Sequence, residues 1–175
     1  MAALSDALNR WHEFYTLLGT ASATMVALLF VAASVSSGVF TKDRPAASRM
    51  FLSASVVNFS IILATSLVVL APVGGWVLLG VLVVGCGVFG LIHTCLACRD
   101  VVRDGLIRSI DLEDRAWYIA LPLIGYLCEA ASGGALALRF DAGCAALAVS
   151  MGMLLTIGIH NAWDITVWAI TRQRE

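Results

Sequence analysis

The sequence predicts an all-α, polytopic membrane protein with five transmembrane helices. Three observations predict it. The chain of 175 residues is 60% hydrophobic and 13% charged, with a mean hydropathy of +0.90. A soluble domain of this size needs more charge to cover its surface. Five apolar runs, at 11–37, 47–70, 76–98, 116–138 and 142–171, reach the roughly 20 residues that a spanning helix needs. Nine of the eleven basic residues fall on one side of such a chain. The positive-inside rule then sets the N-terminus outside and the C-terminus in the cytoplasm.

Helix 1 opens with an aromatic girdle, Trp11, Phe14 and Tyr15. Gly19, Ala23 and Ala27 recur at every fourth position, a small-residue stripe for helix packing and for a homo-oligomer. Thr16, Thr20 and Thr24 form a parallel stripe. Each hydroxyl can bond its own i−4 carbonyl, so the stripe can sit against lipid. Its alternative role, with Glu13, is an outer mouth: Glu13, Thr20 and Thr24 lining a water-filled path. Met1 to Arg10 lacks a basic start and a cleavage site and is not expected to be a signal peptide.

Asp43 and Pro45 suit the start of helix 2. Within it, Asn58 stands out, because its amide needs several partners. Ala71-Pro72-Val73-Gly74-Gly75 is an uncharged turn. Helix 3 carries Gly80, Gly85, Gly87 and Gly90, which suit close packing, and His93 near its cytoplasmic end. Cys95 and Cys98 form a lone C-x-x-C without a second pair, better read as small buried residues than as a metal or redox motif. The linker 99–115 has Val102, Leu106 and Ile110 at i+4 among charges, an amphipathic helix for the membrane surface. Pro122 is expected to kink helix 4. Glu129 is the acidic residue deep in that run, flanked at i−4 and i+4 by Gly125 and Gly133. Helix 5 contains the densest polar block, His160, Asn161 and Asp164.

Polar side chains at membrane depth are functional candidates by default. At about 1.5 Å rise per residue, Asn58, His93, His160, Asn161 and Asp164 share the cytoplasmic half of the bundle. Glu129 lies nearer the outer half, at a second site. His160 and Asp164 share a face at i, i+4, so the carboxylate can orient the imidazole. No catalytic or metal-ligand spacing is present, and no enzyme activity and no metal are expected. The preferred reading is a small oligomeric protein with a buried polar site that conducts protons or cations. The alternatives are a hydrogen-bond network that only holds the helices in register, an accessory subunit of another membrane protein, and a haem protein ligated by His93 and His160. Otherwise no cofactor is expected. Lipids and other copies of the chain are the expected partners, and nucleic acid is not.

Trp11-His12-Glu13-Phe14-Tyr15, Gly19-Thr20-Ala21-Ser22-Ala23-Thr24 and Leu28-Leu29-Phe30-Val31-Ala32-Ala33-Ser34, with His160-Asn161-Ala162-Trp163-Asp164, form a set. That set resembles a group of small bacterial inner-membrane proteins, some labelled modulators of an ATP-dependent membrane protease. The resemblance covers about a quarter of the chain, in helices 1 and 5. It implies a bacterial inner-membrane source and that the two blocks belong together. It supplies no catalytic residue.

Overall fold

A computed structural model describes residues 2–35, 45–72, 74–103 and 115–172. They form five long helices: α1 (Ala2–Val35), α2 (Pro45–Leu70), α3 (Trp76–Arg103), α4 (Leu121–Ala137) and α5 (Ala142–Arg172). A π-helical turn, Ala116–Ala120, leads directly into α4. No strand occurs among the described residues.

The helices pack as a ring in chain order. Each touches the next, α5 returns to α1, and α2 touches α5 across the middle. Short connections favour this antiparallel order. The α2–α5 contact leaves α1 on one side and encloses an interior between α2, α3, α4 and α5 on the other.

Large apolar side chains point both ways. Tyr15, Phe59, Leu79, Leu147, Met151 and Leu154 fill the core, whereas Leu17, Phe30, Leu67, Phe89, Leu127 and Val149 are exposed. Meanwhile Ser22, Asn58, Thr65, Ser66 and Glu129 are buried. Polar groups inside and apolar groups outside are the arrangement a bilayer selects. Four helices are long and apolar enough to cross a membrane, over Asp6–Ser34, Trp76–Arg99, Ala116–Ala137 and Ala142–Asp164. The exception to the expected five is α2, whose described apolar part, Ser55–Leu70, is shorter.

Three boundaries differ from the sequence expectation. α1 begins at Ala2 rather than near Trp11, because Ala7, Leu8 and Trp11 dock on the core and carry the helix outward. α3 continues to Arg103, so the linker's first turn belongs to the spanning helix; residues 104–114 of the expected surface helix lie outside the described residues. Pro122 sits in the first turn of α4. It lacks an N–H, and the chain meets it with the wider π turn.

The α3–α4 wall is the closest approach in the ring. A Cβ on Gly80 would lie 2.5 Å from the Gly133 carbonyl oxygen, and one on Gly133 would lie 2.7 Å from the Val84 nitrogen. Backbone meets backbone there, as small residues allow. Gly85 faces open space instead.

Candidate functional site

The site starts from Pro122. The Leu121 N–H is turned to the Ala116 carbonyl, five residues back. Pro122 has no N–H to offer. The Trp117 carbonyl is therefore released from the helical ladder, and it accepts from Asn161 Nδ2 of α5 at 3.4 Å. The Tyr118 hydroxyl donates to the Asn161 carbonyl, also at 3.4 Å. The preceding residue of α5, His160, stacks flat on the Trp117 indole at 3.8 Å between ring centroids and 5° between planes. Its Nδ1 lies 3.3 Å from Asp164 Oδ2. That is an ion-pair approach, not an aligned hydrogen bond, since Nδ1 has no hydrogen-bond partner among the described residues. The side chains of His160 and Asp164 are 32% and 39% exposed, so this pair forms a rim.

Asn58 of α2 ties three helices. Its Nδ2 donates to the Leu154 carbonyl of α5 at 2.9 Å, and its Oδ1 accepts from the Tyr126 hydroxyl of α4 at 2.8 Å. The approach to Leu154 depends on Gly158, one turn on. A Cβ there would lie 2.5 Å from Asn58 Nδ2. The Tyr126 ring is seated on Gly90 of α3, where any Cβ would strike it.

Between these groups lies a cavity of about 40 Å³. Asn58 and Ser55 line it from α2, and His93 and Thr94 from α3. Tyr118, Tyr126 and Asn161 add polar groups from the other side. Ser55 Oγ and Asn161 Oδ1 are buried without a hydrogen-bond partner among the described residues. A polar space of that size suits water or a small ion. It is well below the roughly 300 Å³ of an ordinary ligand pocket.

One turn along α4 from Tyr126 lies Glu129, which is 0% exposed. Its Oε1 accepts a 2.6 Å hydrogen bond from the Thr65 hydroxyl of α2. Its Oε2 is buried without a partner among the described residues. Cys86 of α3 is beside Thr65 and Glu129. No Lys, Arg or His occurs in the facing stretches 53–70 of α2, 76–92 of α3 and 142–159 of α5. Further along, Val69, Leu79, Val83, Leu136 and Leu147 are all buried. The interior thus carries its interhelical polar contacts from the Asn161 end up to Glu129, and large apolar side chains are buried beyond it.

The structure brings Asn58, His93 and Asn161 around one cavity. It sets His160 and Asp164 together at its rim. His93 and His160 occupy different surroundings, the first on the cavity and the second on Trp117. Glu13, Thr20 and Thr24 lie on the outer surface of the bundle, not in its interior. Thr16, Thr20 and Thr24 each donate to the carbonyl four residues back, at 2.8–2.9 Å. Gly19 packs against Ser66 of α2, with a Cβ distance of 3.0 Å, while Ala23 and Ala27 are exposed. Sequence reasoning does not single out Thr65 and Tyr126. Their signal is spacing: Thr65 is two turns from Asn58 on one face of α2, and Tyr126 is one turn from Glu129. Among the described residues, no three His, Cys, Asp or Glu gather as a metal site.

The fold and site define an all-helical bundle with four membrane-length apolar helices and a polar interior. Comparison with protein-family models, curated proteins and solved structures finds no match.

Proposed function

We propose that the protein is a small multi-pass protein of a bacterial inner membrane that takes up a cation onto the buried Glu129 carboxyl and passes it on. The observation that carries this reading is Glu129 itself. Its carboxyl is fully buried, has one hydrogen-bond partner among the described residues, and faces no basic side chain from the stretches of α2, α3 and α5 around it. An ionised carboxylate at that depth needs a compensating charge. With no internal one on the facing stretches, the charge comes from outside the protein. The polar cavity gives the approach, and the apolar layer beyond Glu129 keeps the path closed at its far end.

In this reading all five helices span, the N-terminus is outside, and the cavity opens toward the cytoplasm with the Lys- and Arg-rich connections. The exposed Ala23 and Ala27 support assembly of copies through α1.

The test is ion flux in proteoliposomes. Wild type is expected to carry a flux that Glu129→Gln reduces to the leak of protein-free vesicles. Equal flux in both would overturn the reading. A second reading is favoured by Asn58, whose amide joins α2 to α4 and α5. There the polar groups only hold the helices in register. It predicts that Asn58→Leu and Glu129→Gln lower thermal stability and that no flux is seen in any form.

A further inference from the structure

If Glu129 takes up a cation, as proposed above, its surroundings decide which one. We infer that the cation is a proton, delivered from the cavity past Tyr126. A hard metal cation leaving water must regain a shell of about six oxygens. Around Glu129 the structure offers the two carboxyl oxygens and the Thr65 hydroxyl. The neighbouring hydroxyls, Ser132 one turn on and Tyr126, donate to the Cys128 carbonyl at 2.7 Å and to Asn58, and even with their oxygens counted the set falls short of six. The remaining neighbour, Cys86, is a sulfur and a poor ligand for a hard cation. Nor is there space for a hydrated ion on the α3 side. A Cβ on Gly87 would lie 2.7 Å from the Ala130 nitrogen, and one on Gly133 2.7 Å from the Val84 nitrogen.

A proton has none of these needs. Glu129 Oε2 is the oxygen without a partner among the described residues, and one lone pair suffices. A hydronium arriving from the cavity gives its proton to Oε2 and leaves as water; the carboxylate becomes a neutral acid, and no electron changes hands. The Thr65 hydroxyl still donates to Oε1 afterwards, so uptake breaks no bond in the site. The titratable neighbours are Cys86 from α3 and Tyr126 from α4. α2 contributes Thr65, and α5 contributes no titratable side chain from Ala145 to Ile159. Tyr126 lines the cavity one turn before Glu129, its ring seated on Gly90 and its hydroxyl held by Asn58.

The test uses the full chain in proteoliposomes, with a pH gradient in one arm and Na⁺ or K⁺ gradients in the others. Wild type and Glu129→Gln are compared, with native mass and thermal unfolding as controls for folding. The expected result is a proton flux that is lost in Glu129→Gln and unchanged when choline replaces Na⁺ and K⁺. A Glu129-dependent flux of Na⁺ or K⁺ would overturn the proton while leaving the uptake site standing. No Glu129-dependent flux of any ion would overturn both. Infrared spectroscopy of the wild type gives a second readout should Glu129→Gln fail to fold. A protonated-carboxyl band that Na⁺ and K⁺ leave intact is expected, assigned by its shift in Glu129→Asp. Loss of that band on adding either ion would overturn the proton.

Discussion

The Thr65 hydroxyl of α2 reaches Glu129 of α4 at 2.6 Å, although the two helices are not neighbours in the ring. The bond crosses the interior and is the one partner the carboxyl has among the described residues. Thr65→Val keeps the shape of the side chain and removes the donor. Interhelical hydrogen bonds in membranes contribute about 0.6 kcal/mol on average and up to about 2. The upper end is expected here, because the change strips a buried carboxyl of that donor. Thermal unfolding in detergent measures it, and an unchanged Tm would refute the pairing.

Gly158 admits the Asn58 amide to the Leu154 carbonyl. Gly158→Ala places a methyl against Asn58 Nδ2 and the Phe59 ring. Overpacking of this kind destabilises by about 1–3 kcal/mol. The same change in an Asn58→Ala background is expected to be milder, since one of the two clashes is gone. A double-mutant cycle reads the coupling. Strict additivity would show that the two residues do not meet.

The Trp117–His160 stack depends on the π turn before Pro122. An imidazole held face to face with an indole quenches its emission, so His160→Gln is expected to raise tryptophan fluorescence. Pro122→Ala restores a donor at position 122 and favours the narrower α register, which turns Trp117 away. The quench is expected to weaken in that variant. A quench of full size there would separate the stack from the turn.

Arg139 closes α4 with φ 65°, a left-handed conformation. The Phe140 N–H reaches back to the Ala135 carbonyl at 2.9 Å, which makes a Schellman cap with arginine where glycine is usual. Arg139→Gly is expected to raise stability by about 1 kcal/mol. A fall in Tm would mean that the Arg139 side chain matters more than its backbone.

The helices are legible in the sequence because apolar run length and Pro–Gly punctuation are local signals. Asn58, His93 and Asn161 are legible as a group because their depth follows from helical rise. Thr65 is not. It belongs to the same residue type as Thr20 and Thr24, and in a helix either kind can bond its own backbone. Only the packing of α2 against its neighbours turns Thr65 inward and leaves the α1 threonines outside. Tyr126 escapes notice because an aromatic in an apolar helix is usually core. The start of α1 is hidden because residues 2–10 lack a long apolar run and gain their order from docking. The π turn shifts Trp117 by a fraction of a turn, and no hydrophobic period records that.

The self-bonded threonines of α1 and the carboxyl of α4 also differ in what they ask of the chain during synthesis. The α1 threonines find their partners within their own backbone, so they ask nothing of another helix on entering a bilayer. α4 depends on another helix, because the donor to Glu129 is Thr65 of α2. That helix is made earlier. Translation thus places the donor in the membrane before the acid arrives, and α4 enters toward a site already half built.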